Sequence, residues 1–155
     1  SNAARNRSRS PDFLRPLGPG HGRAGVWEMR RLEANLAHRR RMGDLYASLL
    51  DDAGWPRPQI PEHLDPVLVR YPVRVADKAG ALALAARRRV ELGDWFDQPL
   101  HQALAALEQY DYQEGTCPNA EQAAREIVNL PMHRRVRERH ARQAVDLVCE
   151  IGPAR

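Results

Sequence analysis

Apolar residues at Val26, Met29, Leu32 and Leu36, then at Met42, Tyr46, Leu49 and Leu50, recur near helical spacing, while Arg30, Arg31, Arg39, Arg40 and Arg41 fall mostly on other faces. A stripe that returns every three to four residues marks one buried helix face, so a long helix is predicted over residues 26–52. Its arginine run reads as a solvated face. Ahead of it, residues 4–25 carry Arg, Ser, Pro and Gly with little apolar content and are expected to form a flexible extension. Behind it, Asp52 to Pro66 contains Pro56, Pro58, Pro61 and Pro66, which fix φ and remove backbone donors, so an extended connector is expected.

The period then changes to two. Val67, Val69, Tyr71, Val73 and Val75 alternate with Leu68, Arg70, Pro72, Arg74 and Ala76, predicting a strand with one buried face, and Pro72 points to an edge position or a bulge. Asp77 is placed to cap a helix over the alanine-rich run Ala79 to Arg89. A second strand is predicted over Val90 to Gln98, running into a loop at Pro99, and another loop over Leu107 to Thr116. Asn119 with Gln122 has the spacing of a capping box for a following helix. Val128 to Met132 makes a short third strand. Arg137 to Ile151 makes a last helix, with Ala141, Ala144, Val145, Val148 and Ile151 on one stripe and Gly152-Pro153 to end it. Strands alternating with helices imply a small α+β domain, a roughly three-stranded sheet packed by helices and preceded by the long helix.

Length allows one domain plus an extension: 155 residues, of which Ser1-Asn2-Ala3 has the look of a cleaved expression tag. The domain proper is expected over residues 53–155. The formal charge is +4 with a single lysine, Lys78, but acidic residues are interspersed through the chain rather than leaving a basic stripe with aromatic partners, so nucleic acid is not the expected ligand. Cys117 and Cys149 fit neither a disulfide framework nor a zinc spacing, and no apolar run approaches the roughly 20 residues that cross a bilayer. A soluble protein of a reduced cytoplasm is the expectation.

Candidate chemistry is sparse. Gly18, Gly20, Gly22 and Gly25 do not follow a predicted strand, which argues against a phosphate loop, and the six histidines lack the i, i+4 pairing of zinc enzymes, so no metal is expected. Lys78, beside Asp77, reads as a solvated or structural lysine rather than a nucleophile. The densest constellation is Trp95, Phe96, Asp97 and His101: two rings, a carboxylate and an imidazole in a loop after a strand. Such a set can line a polar ligand pocket. It can equally cap the core, with His101 bonded to backbone.

Taken in order, RLEANLAHRRRMGDLYASLL, GWPRPQIPEHLDPVLVRYPVRVADK, ELGDWFDQPLH and CPNAEQAAREIVNLPMH resemble the C-terminal part of the DegT/DnrJ/StrS-type sugar aminotransferases. The resemblance covers roughly Arg15 to Ile151. It implies the small domain of a fold-type-I pyridoxal phosphate enzyme, commonly a homodimer, that moves an amino group from glutamate to a ketosugar, often nucleotide-linked. The cofactor-holding lysine of that family belongs to a larger upstream domain, so no pyridoxal phosphate is expected on this chain alone, no catalytic residue is assigned to it, and it is expected to be inactive without that domain or a second subunit. The loop from Trp95 to His101 is implied to lie near the substrate entrance, and Arg15 to make an active-site or dimer contact. Two departures stand out: many relatives carry a His-Tyr-Pro type loop where this chain has Trp95-Phe96-Asp97, and an apolar helix where it has Pro16 to Gly22. The alternative is a stand-alone, non-catalytic module that kept the fold to bind a partner or a sugar nucleotide.

Overall fold

A computed structural model of the chain describes residues 16, 18–56, 60–61, 63–100 and 112–154. The chain divides into two units, residues 1–34 and 35–155. In the first, helix α1 spans Pro19–Met29, with Gly18 as N-cap and proline at its first position, where a missing N–H costs nothing. Helix therefore starts seven residues before Val26, inside the stretch expected to be flexible: Pro19 begins a helix here instead of breaking one, and the glycines that follow are tolerated within it. No residue of α1 is buried. The Arg31 guanidinium lies 4.0 Å from the centre of the Trp27 ring, one turn away.

A turn at Arg30–Arg31 separates α1 from helix α2, Leu32–Asp52, so the single helix predicted over 26–52 is two helices. Met42, Tyr46 and Leu50, spaced by four, are its buried face. The Tyr46 hydroxyl donates to the Pro131 carbonyl at 2.8 Å, and its ring sits 5.4 Å from that of Tyr71. Gly54, at φ +75°, turns the chain out of α2 in the left-handed conformation that glycine takes at least cost, and Trp55 N–H returns to the Leu50 carbonyl.

Strand β1, Tyr71–Arg74, pairs antiparallel with strand β2, Ile127–Leu130, in the register Tyr71↔Leu130 to Arg74↔Ile127. Single bridges extend the sheet on both sides, Gly93 to Asn129 and Val75 to Pro153. The predicted strand from Val67 is thus shortened to begin at Tyr71, and Val69, expected on its buried face, is exposed. The partner strand ends at Leu130 because Pro131 has no N–H to offer and its carbonyl is taken by Tyr46. Pro72 sits in β1 without cost: Asn129 opposite it turns both its N–H and its carbonyl to Gly93, at 2.9 and 2.8 Å, so no donor is asked of the proline. The third strand predicted over Val90 to Gln98 contributes one bridge pair, because beyond Gly93 the Asn129 side-chain amide, rather than a strand backbone, takes the Trp95 carbonyl.

Helix α3, Lys78–Arg88, starts as predicted at Asp77, whose carboxylate accepts from Gly80 N–H at 2.9 Å, and buries Ala81 and Ala85. Helix α4, Pro118–Glu126, is capped at Cys117 and not by an Asn119–Gln122 box. Glu121, inside the helix, instead holds the chain leading into it, accepting from Tyr112 O–H at 2.6 Å and Gly115 N–H at 2.7 Å. Helix α5, Glu138–Ile151, buries Ala141, Ala144, Val145, Leu147 and Val148, close to the predicted stripe, and ends at Gly152 with φ +85°. Strand alternation sends Tyr71, Val73, Val75, Val128 and Leu130 into one core with α2, α3 and α5, and turns Pro72, Ile127 and Asn129 to the opposite face.

Candidate functional site

On that opposite face lies a cavity of about 470 Å³. Its floor is apolar: Pro72 and Ile127 from the sheet, and Ala120, Ala123 and Ala124 from α4. The small side chains of α4 leave the room that larger ones would fill. Trp95 and Phe96 form its rim, their rings 4.5 Å apart and tilted by 32°, with the peptide bond between them cis. They remain 39% and 47% exposed, too open to act as plugs of the core. The Arg70 guanidinium stands 5.3 Å from the centre of the Trp95 ring and also lines the cavity. It occupies the space a Cβ on Gly93 would need, 2.8 Å from that position, so the glycine lets the guanidinium lie flat against the bridge.

Two polar side chains face this apolar lining. Asn129 holds the Trp95 carbonyl. Gln98 is only 6% exposed and its Oε1 has no hydrogen-bond partner, an arrangement that costs about 1–3 kcal/mol when nothing satisfies it. The Arg70 guanidinium offers a cation at the mouth of this aromatic and aliphatic lining.

The rim is fixed from behind by Lys78. Its ammonium touches Asp94 Oδ1 at 2.5 Å, the Ala124 carbonyl at 2.7 Å and the Phe96 carbonyl at 3.2 Å. The side chain is 11% exposed, so of the solvated and structural readings the sequence left open, the enclosed, structural one holds. The floor is anchored at both ends of α4. At its start the Tyr112 hydrogen bond holds the Glu121 carboxyl below the usual carboxylate range, and the same bond pushes the Tyr112 hydroxyl up to about 12. At its end Arg74 meets Glu126 at 2.5 Å.

Of the residues singled out in the sequence, Trp95 and Phe96 are brought together at the cavity. Asp97 is exposed and does not line it. Arg15 and His101 lie outside the described residues. Sequence reasoning missed Arg70, Gln98 and Asn129; Asn129, polar inside the apolar run Val128 to Leu130, was the one visible signal. Among the described residues no group of three metal-ligating side chains occurs, and Cys117 and Cys149 are free thiols.

A small antiparallel sheet with helices on both faces and a cavity beside an aromatic loop make a small α+β domain. The sequence model of the DegT/DnrJ/EryC1/StrS aminotransferase family matches residues 22–149, and the chain belongs to that family. Among solved structures it is similar to a DegT DnrJ EryC1 StrS aminotransferase from Brucella abortus, with a TM-score of 0.64 and 21% identity over 79% of this chain. That likeness concerns the fold. The chain spans 32% of the length of that protein. No curated protein matches the sequence.

Proposed function

We propose that this chain is the small domain of a pyridoxal phosphate-dependent aminotransferase whose substrate is a ketosugar, often nucleotide-linked in this family, serving aminosugar, surface-glycan or natural-product synthesis in the cytoplasm. The observation that carries the reading is family membership over residues 22–149 in a chain that spans 32% of its structural relative. The residues present do not fit the cofactor as its covalent holders: the single lysine has its ammonium engaged by a carboxylate and two carbonyls. The cofactor lysine would come from the large domain, and the isolated chain would be inactive. The exposed large apolar side chains of α1, Val26, Trp27 and Met29, support such a partner, and a homodimer is the expected assembly of the whole enzyme. In this reading the Trp95–Phe96 cavity lies on the substrate side, the rings and Arg70 selecting the sugar while the cofactor supplies the electron sink.

The test is the intact mass of the native polypeptide in its source cells, by immunocapture and top-down mass spectrometry. The expected species is well over twice 17.6 kDa and carries a lysine-bound pyridoxal adduct. A species near 17.6 kDa without adduct would replace this reading with a stand-alone binding module.

A further inference from the structure

Lys78 opens α3, the helix end where a cation opposes the positive pole of the backbone dipoles, so helix stability does not explain a lysine there. Its contacts do. An ammonium has three donors, and Lys78 meets three acceptors from three places: Asp94 before the aromatic pair, the Phe96 carbonyl within it, and the Ala124 carbonyl in the last turn of α4. The Ala124 carbonyl is one of the four that a helix leaves without an intrahelical partner, so the lysine also completes the end of the helix that floors the cavity. Lys78 itself does not line the cavity.

We infer that Lys78 is a positioning residue: its ammonium ties the Trp95–Phe96 rim to the α4 floor and so sets the width of the cavity mouth. Asn129 holds the Trp95 carbonyl from the sheet side, and Lys78 holds the Phe96 carbonyl from the helix side, which leaves the two rings between two fixed carbonyls. The assignment of the cavity to a substrate rests on the function proposed above; the positioning role does not.

The full chain labelled with 5-fluorotryptophan gives three fluorine resonances, for Trp27, Trp55 and Trp95, assigned by single replacement with phenylalanine. Lys78→Met keeps length and apolar volume and removes all three donors. The expected result is a displaced or broadened Trp95 resonance with that of the buried Trp55 unmoved, and Asp94→Asn moving the Trp95 resonance in the same direction by less. A Trp95 resonance unchanged in K78M would overturn the inference. Should K78M lose the Trp55 resonance position as well, the folded D94N variant decides, and an unmoved Trp95 there overturns it. The readout needs no substrate, so failure of the proposed function and failure of this inference are separately visible.

Discussion

Replacing Tyr46 with phenylalanine tests how α2 is fastened to the sheet. Tyr46 is fully buried, and its hydroxyl is the donor to the Pro131 carbonyl, 85 residues away, at 2.8 Å. Phenylalanine keeps the ring and its stacking on Tyr71 but leaves a buried carbonyl without that partner. Such a loss costs about 1–3 kcal/mol, and we take about 2 kcal/mol because the acceptor lies beneath α2, away from water. For a chain of this size about 1 kcal/mol moves Tm by roughly 2–4 °C, so Y46F is expected to melt about 6 °C lower by circular dichroism at 222 nm. A second signature follows from ionisation. Burial, and then the negative charge of Glu91, raise the Tyr46 hydroxyl well above its ordinary value of 10.0. A group whose folded pKa is raised contributes stability that is complete below its unfolded value and is lost as pH climbs toward the folded one. The Tyr46 contribution should therefore be lost above about pH 10, and Y46F should fall less steeply, with Tyr112 and the part-buried Cys149 thiol, both raised, contributing to what remains. A Tm for Y46F equal to the wild type, together with an unaltered alkaline slope, would refute a hydroxyl buried against Pro131.

The remaining expectations concern the helix caps and the cavity. Gly80→Ala, a change that elsewhere stabilises a helix interior by about 1 kcal/mol, should destabilise here, because the new Cβ collides with the Asp77 carboxylate that caps α3; in an Asp77→Ala background, itself costing about 1 kcal/mol, the same change should become stabilising in urea unfolding. Glu121→Gln should flatten acid unfolding: hydrogen bonds, led by that from Tyr112, depress the folded pKa, so this carboxylate's contribution is present above the ordinary 4.5 and is lost as pH falls through the folded value. A steeper acid limb in the variant would contradict that assignment. Trp95→Ala should leave Tm nearly unchanged, within about 1 kcal/mol, since the ring is part-exposed at a rim, yet, under the function proposed above, raise KM for the proposed ketosugar in the parent enzyme by at least tenfold; an unchanged KM would move the proposed substrate away from this cavity.

Periodicity located α5, because it buries a stripe that repeats along its own axis, while α3 was marked by its alanine-rich run and by the Asp77 cap, a local bond between residues three apart. It also found the alternation of Tyr71, Val73 and Val75, and the ordered motifs that mark the family. Where the sequence led astray, the deciding partner was remote. The strand from Val67 stops short because Pro131 ends its neighbour, and the Asn119–Gln122 box gives way to a Cys117 N-cap, with Glu121 holding Tyr112 and Gly115 ahead of the helix. For Lys78 the sequence left a solvated and a structural role open, since its carboxylate neighbour in sequence is Asp77, whereas the partners that decide for structure are 16, 18 and 46 residues on, at Asp94, Phe96 and Ala124. The same holds for the site. Trp95 and Phe96 were visible as an aromatic pair in a loop, but the cavity they rim needs Arg70, Gln98, Asn129 and the alanines of α4, which share no spacing in sequence. Local stripes and caps depend on near neighbours and are written in the chain; a cavity is the space left between elements, and only their packing decides it.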